Sequence, residues 1–272
     1  MIVIVLVFTL LTGCGSSAKK EYELGKKAYQ EQNYETAVEH FNKAIEKNNE
    51  KAEYYLECGI AFIKLERFDE AKEAFEKVIL NKDNKIVREN NKLAWRGLGL
   101  VYFYQHKYEE AVSMFSNAQG INELLELNSD IMQYMASAKE YMQDRSGAID
   151  IYSKLINTSD DSEIYHIKRG QLSLEVGDLE NAKIDFKRAM EINEQNFESY
   201  IGLYKVSCKE GNEAQGDYYL TSAEEIVPKN SDQEFGLACV HFYQKKNGQA
   251  QSEMEQAISN GKYQAYHYLA EI

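Results

Sequence analysis

The run Trp95-Arg96-Gly97-Leu98-Gly99-Leu100-Val101-Tyr102, followed after a polar turn by Ala111-x-x-x-Phe115, decides how this chain is read. Apolar residues recur at helical spacing on both sides of the turn, so the stretch predicts two antiparallel helices. Helices approach closely only where their facing side chains are small, and Gly99 and Ala111 supply such a crossing. Phe115 stands four residues beyond Ala111, on the same helical face, and is placed to fill the seam.

Six further copies align on the small residue that opens each second helix: Ala37, Ala71, Ala148, Ala182, Gly216 and Ala250. With Ala111 included, the successive spacings are 34, 40, 37, 34, 34 and 34 residues. Small residues Gly25, Gly59, Gly99, Ala136, Gly170 and Ala238 on the first helices are expected to face the alanines. A large apolar residue follows four positions later in every copy: Phe41, Phe75, Phe115, Tyr152, Phe186, Leu220 and Met254. Burying each is worth roughly 1.5 to 3 kcal/mol.

The 34-residue period and the Trp95 to Phe115 pattern resemble the tetratricopeptide repeat, over residues 19–272. The resemblance implies an all-α fold, an α-solenoid superhelix of seven helix-turn-helix repeats. They span about 18–51, 52–85, 92–125, 129–162, 163–196, 197–230 and 231–261, with a capping helix over 262–272. Pro228, the single proline, falls where this family often ends a second helix. Turns such as His106-Lys107-Tyr108-Glu109 and Gly177-Asp178-Leu179-Glu180 carry an apolar plug between polar residues. The sixth copy has Tyr204 where the others are small and Gly216 where they have alanine, so the missing methyl is expected to make room for the ring. On that reading Gly216→Ala destabilises the wild type and stabilises a Tyr204→Ala background. The two long spacings mark insertions, one around 85–90 that lengthens a first helix and one within 120–129.

Arrays of this family bind extended peptides or partner helices on the concave face formed by first helices. The resemblance implies that Tyr22, Tyr29, Ile63, Arg96, Phe103, Tyr104, Tyr134, Tyr141, Phe242 and Tyr243 point into that groove, and Tyr and Arg are favoured at binding hot spots. The Lys and Asn constellation with which chaperone-binding members grip a C-terminal carboxylate is absent from the first three repeats. A protein or peptide partner is therefore the expected ligand, with a glycan stacked on the groove tyrosines, or a structural role inside a secretion or pilus complex, as alternatives.

Composition narrows the classes further. One proline in 272 residues suits a helical chain, and a formal net charge of −13 opposes nucleic-acid binding, which draws on Lys and Arg. The five histidines form no i, i+4 metal pair and are expected at the surface or in the groove, and Gly97-Leu98-Gly99 lies inside a helix with no strand before it, so no phosphate loop is predicted. No nucleophile motif is present. No enzymatic activity, metal or cofactor is expected. Cys58, Cys208 and Cys239 lack zinc or redox spacing and are expected to be small buried residues.

The N-terminus reads differently from the rest. Residues 2–11 form an apolar run of signal-peptide length, too short to span a bilayer, and Leu11-Thr12-Gly13-Cys14 resembles the lipobox of bacterial lipoproteins. The leader lacks the usual positive charge after Met1. The resemblance implies a signal peptide over 1–13, acyl chains on Cys14, and a short linker over 14–18 before the array. It places the chain outside the cytoplasm, lipid-anchored to the outer leaflet of the cell membrane, or to an outer membrane where a second one exists.

Overall fold

The structure is a computed structural model that describes residues 3–158, 162–226 and 234–272, with side chains from residue 17 onward. Pro228 and the Cys14 side chain lie outside the described residues. All regular structure among the described residues is helical. The helices are α1 (Val3–Gln30), α2 (Tyr34–Lys47), α3 (Ala52–Lys64), α4 (Phe68–Glu76), α5 (Lys85–Tyr104), α6 (Tyr108–Gln119), α7 (Asn128–Tyr141), α8 (Arg145–Thr158), α9 (Glu163–Val176), α10 (Leu179–Ile192), α11 (Phe197–Lys209), α12 (Glu213–Ile226), α13 (Glu234–Tyr243), α14 (Asn247–Ser259) and α15 (Ala265–Leu269). They form two compact units, Met1–Asp144 and Arg145–Ile272, each an α-solenoid of stacked helical hairpins. The division falls inside the fourth copy, between α7 and α8.

One backbone device closes every copy. The residue five before each aligned small position adopts a left-handed conformation: Gln32, Glu66, His106, Gln143, Gly177, Gly211 and Lys245. At the first, the Asn33 N–H donates to the Ala28 carbonyl at 2.9 Å and the Gln32 N–H to Tyr29 at 3.0 Å. The same two bonds recur at all seven turns and satisfy the carbonyls that a helix end leaves orphaned. Five of the seven residues are not glycine and accept roughly 1 to 2 kcal/mol of left-handed strain each. That cost is offset by the hairpin packing that follows. Asn33 and Asp178 also cap the next helix, accepting from Thr36 N–H at 3.3 Å and Asn181 N–H at 3.2 Å.

The seam holds the residues predicted for it, with one correction. Ala37, Ala71, Ala111, Ala148, Ala182 and Ala250 are fully buried, and so are Phe41, Phe115, Phe186 and Met254. The first-helix glycines, however, chiefly meet the large residue of their own copy rather than the alanine. A Cβ on Gly25 would lie 2.6 Å from the Phe41 ring, and one on Gly99 would lie 2.4 Å from Phe115. The ring reaches back across the hairpin, and the missing Cβ is the space it occupies. Gly97 and Gly202 do the same for the preceding copy: a Cβ there would sit 2.4 Å from Phe75 and from Phe186. Each of those two rings is therefore gripped by glycines of two successive first helices, Gly59 with Gly97 and Gly170 with Gly202.

In the sixth copy Tyr204 does lie against Gly216, whose added Cβ would stand 3.2 Å from the ring. That is a milder approach than the 2.4 to 2.7 Å at Gly25, Gly59, Gly97, Gly99 and Gly202, and the neighbour is a half-buried ring edge. Alanine gains about 1 kcal/mol of helix propensity over glycine, enough to offset a shift of a few tenths of an ångström. Gly216→Ala is thus expected to be near neutral in the wild type and to stabilise a Tyr204→Ala background by about 1 kcal/mol. A double-mutant cycle of denaturant melts gives the coupling, and equal effects in both backgrounds would refute the compensation.

The two insertions form one feature. The first lengthens α5 to 20 residues, with Asn84 capping Val87 N–H at 3.0 Å. The second runs into a single 3-10 turn, Leu125–Leu127, entered through left-handed Leu124. Three cations spaced four apart along α5 hold it. Arg88 bonds Glu123 at 2.7 Å and also pairs with Asp83. Lys92 is fully buried and donates to the carbonyls of Ile121 at 3.0 Å and Glu123 at 2.7 Å and to Asn128 Oδ1 at 2.7 Å. Arg96 reaches Asp130 at 2.6 Å. Burial lowers the Lys92 pKa, and its three oxygen partners are what hold an ammonium in that place.

The segment 15–18, expected as a linker, is helical. α1 is continuous through it, and Ala18 is fully buried in a cluster with Ala44 and Tyr54. Docking of Ala18 fixes the first turn of the repeat, and nothing between 15 and 18 breaks a helix. No helix among the described residues is long and apolar enough to cross a membrane.

Candidate functional site

Unit Arg145–Ile272 carries a cleft of about 370 Å³. Four consecutive first-type helices build it. α9 gives Gln171, Leu174 and Glu175, α11 gives Phe197, Glu198, Ile201, Gly202 and Lys205, and α13 gives Phe235; Gln264 and Tyr268 come from α15 and the residue before it. The floor is apolar, with Leu174, Ile201 and the fully buried Phe186 of α10. The rim is polar. Arg145 bonds Glu175 at 2.6 Å, Gln171 donates to Glu198 at 3.3 Å, and the Lys205 ammonium stands 5.0 Å from the centre of the Tyr243 ring.

Aromatic rings brace one end of this cleft. Phe242 lies 5.1 Å from Tyr243 and 5.2 Å from Tyr268, edge to face, and Tyr204 lies 5.4 Å from Tyr243. Burial pushes the Tyr268 phenol pKa well up. Phe242 and Tyr243, predicted as groove residues, are thus half-buried supports of the wall, and neither lines the cleft. Tyr268, read as part of the cap, lines it directly.

Unit Met1–Asp144 gathers a second set. Phe103 lies within 5.4 to 6.0 Å of Tyr104, Tyr108, Tyr134 and Tyr141, and Tyr108 stacks on Tyr141 at 4.8 Å with planes 9° apart. Tyr104 and Tyr141 are exposed, while Phe103 and Tyr134 are half-buried. Tyr108, read only as a turn plug, completes the stack. Ile63 and Tyr104 also line a more open hollow with Lys64, Glu66, Phe68 and His106. Arg96 is held by Asp130, so its charge is already matched. Tyr22 packs on Tyr54 at 4.9 Å and on Phe41 at 5.9 Å, and burial pushes its pKa up to about 12. Tyr29 packs against Tyr34 at 5.2 Å. These two act mainly as packing between helices.

Buried polar pairs account for residues expected at the surface. His166 and His241 are buried, not surface or groove residues: His166 Nδ1 is 2.8 Å from Asp185, and His241 lies 2.6 Å from Glu253 and 3.3 Å from Glu224. His40 lies 2.9 Å from Glu21. Glu21 and His40 hold the same two repeat positions as His166 and Asp185, with acid and base exchanged. Cys58 and Cys239 are buried thiols pushed up to about 12, whereas Cys208, expected inside, is exposed in the last turn of α11. No group of three or more His, Cys, Asp or Glu among the described residues is placed to hold a metal ion.

These ion pairs set a pH dependence. Hydrogen bonds from Lys47 and then His40 hold Glu21 down at about 2, and Lys246 and then Gln244 hold Glu224 at about 2, against an ordinary 4.5. The unfolded chain therefore binds more protons between those values, so their stabilisation is complete above pH 4.5 and is lost as pH falls towards 2. Urea midpoints are expected to drop across that window, and Glu224→Gln is expected to flatten the slope. An unchanged slope would contradict this.

Comparison with known proteins agrees with the geometry. Residues 25–66 match a family described as TPR repeat, and residues 56–122 and 165–196 match families described as Tetratricopeptide repeat. The chain carries tetratricopeptide repeats over these residues. A TPR repeat-containing protein of Methanocaldococcus jannaschii is 23% identical over 257 residues, covering 88% of this chain and 44% of that protein. The chain thus spans less than half the length of that relative. A tetratricopeptide repeat protein from Parabacteroides merdae superposes with a TM-score of 0.64 at 12% identity, covering 94% of this chain and 98% of that one. YrrB, described as a TPR protein with an unusual peptide-binding site, superposes at 0.57 and 19% identity, covering 77% of this chain and 99% of its own. Such likenesses establish the fold alone. Repeats of this kind mediate protein–protein interaction, and the fold is typically a non-enzymatic scaffold.

Proposed function

We propose that this chain is a scaffold at the bacterial cell envelope that holds a protein or peptide partner on its first-helix face and is anchored by a lipid on Cys14. The cleft in unit Arg145–Ile272 carries the first part: an apolar floor under a polar rim, built by four successive first helices, suits an extended segment. The mechanism is recognition by a preformed surface, which limits the ordering entropy of binding. YrrB's peptide-binding site is a parallel within the fold. The lipobox-like Leu11-Thr12-Gly13-Cys14 supports the anchor. With α1 helical through that segment, Cys14 would stand about 6 Å along the axis from buried Ala18, a stiff and short connection.

Cross-linking mass spectrometry in the producing cells tests the scaffold, comparing wild type with a Gln171→Arg, Gln264→Arg variant whose fold is checked by circular dichroism. One dominant protein, captured by wild type and lost in the variant, is the expected result. Capture that ignores the rim, or of polysaccharide alone, would overturn it. For the anchor, intact-protein mass spectrometry is expected to show acyl mass that Cys14→Ser abolishes; an unmodified Cys14 in the membrane fraction would sink that part.

A further inference from the structure

The geometry points to a basic-hydrophobic peptide as the occupant of the cleft in unit Arg145–Ile272: a large apolar side chain on its floor, with a Lys or Arg beside it at Glu175 and Glu198. This rests on the proposed role of that face in peptide binding and adds the chemistry of the ligand.

Three observations carry it. First, the floor is apolar and continuous: Leu174, Ile201 and Phe186 are nearly or wholly buried, and Gly202 lets the Phe186 ring pack directly against the α11 backbone. A cleft of about 370 Å³ over such a floor has room for a Leu, Met or Phe side chain with some of the backbone that carries it. Second, the rim charges are unequal. Glu175 and Glu198 are both exposed, from α9 and α11, whereas the one lining cation, Lys205, is half-buried with its ammonium directed to the Tyr243 ring at 5.0 Å. Third, neither carboxylate is sealed. Glu175 is held by Arg145 in a pair in which both side chains are about half exposed, and Glu198 only by a 3.3 Å amide contact from Gln171. Exposed pairs of this kind are worth about 0 to 1 kcal/mol, so an incoming guanidinium can displace or share them. A bidentate, partly desolvated contact on the same carboxylate is stronger.

An acidic ligand meets the opposite conditions. Its carboxylate would face Glu175 and Glu198 across the floor, and Lys205 is already engaged. The formal net charge of −13 adds a long-range field that favours basic partners and speeds their encounter.

The test uses the full chain and a phage-displayed random dodecapeptide library, followed by fluorescence anisotropy on synthetic, fluorescein-labelled copies of the selected sequences. Selection is expected to enrich Lys or Arg within a few positions of Phe, Leu or Met. Glu175→Gln with Glu198→Gln is expected to weaken those peptides about tenfold or more, and Glu198→Lys to shift selection towards acidic sequences. Both rim carboxylates are exposed, so these variants leave the fold intact, and circular dichroism verifies it. Raising salt is expected to weaken wild type more than the double variant. If selection returns peptides that bind in the cleft but are acidic or uncharged, the basic-ligand inference is overturned while peptide binding stands. If no peptide is selected, or binding ignores every cleft substitution, the underlying reading fails with it.

Discussion

Asp185→Ala is expected to lower stability by about 3–5 kcal/mol, read as a fall in the denaturant midpoint of unit Arg145–Ile272. Asp185 is 1% exposed and accepts from Arg169 Nη2 at 2.7 Å and Nε at 2.8 Å, with His166 Nδ1 at 2.8 Å. Arg169 Nη1 also donates to Ser153 Oγ at 2.9 Å, so one guanidinium ties α8 to the α9–α10 hairpin. Removing the carboxylate leaves a partly buried cation without its counter-charge, and that orphaning, rather than loss of attraction, sets the size of the effect. A guanidinium is too basic to lose its proton in a protein, so the orphaned cation stays charged and cannot escape by deprotonation. Asp185→Asn keeps an acceptor and is expected to cost less than Asp185→Ala. A loss below about 1 kcal/mol for the alanine variant would show that water replaces the carboxylate and that the pair is not structural.

Phe75→Ala is expected to cost a similar amount, about 3–5 kcal/mol in unit Met1–Asp144. The ring is 1% exposed and sits between Gly59 and Gly97, where added Cβ atoms would approach to 2.7 Å and 2.4 Å. Both glycines are matched to this one ring, and its removal opens a cavity at the junction of the second and third copies. Gly97→Ala gives the complementary test. Its helix propensity should gain about 1 kcal/mol, yet overpacking against Phe75 costs roughly 1 to 3, so the wild-type background is destabilised or unchanged. In a Phe75→Leu background the clash is relieved and the propensity gain is expected to emerge. Gly97→Ala stabilising both backgrounds would mean that the ring moves freely, against the gripping described above.

Sequence reading reached the fold because the spacing of Ala37 to Ala250 and the large residue four positions on are local facts that repeat. The double grip on Phe75 and Phe186 is not visible there, since Gly97 and Gly202 stand two residues before the aligned first-helix positions Gly99 and Tyr204, and glycine recurs at that place in only some copies. The left-handed turn was hidden for a similar reason. Only two of its seven residues are glycine, and Gln32, Glu66, His106, Gln143 and Lys245 carry no signature of their conformation. The two insertions could be counted, but their union through Arg88, Lys92 and Arg96 depends on contacts about 30 residues apart that no period reveals. Nor could buried Lys92 be told from a surface lysine.

The site was legible as a face and not as residues. Inward positions include Phe103, Tyr104, Tyr134 and Tyr141 among the ten expected groove residues, and the structure brings these four rings together. The pattern could not separate rings that line a surface from rings that brace one another, which is why Phe242 and Tyr243 prove to be wall supports. Gln264 and Tyr268 come from a short tail whose apolar pattern reads equally as a cap, and it takes the packing of α15 beside α13 to bring them to the cleft.

Site-specific photo-cross-linking tests the central claim most directly. A benzophenone side chain is placed in the full-length chain either at Gln264, on the cleft rim, or at Tyr218, exposed on second helix α12. Irradiation in the producing cells is expected to trap one discrete protein from position 264 and little from 218. Equal capture from both positions, or capture from 218 alone, would contradict the claim that the first-helix cleft is the surface this scaffold uses.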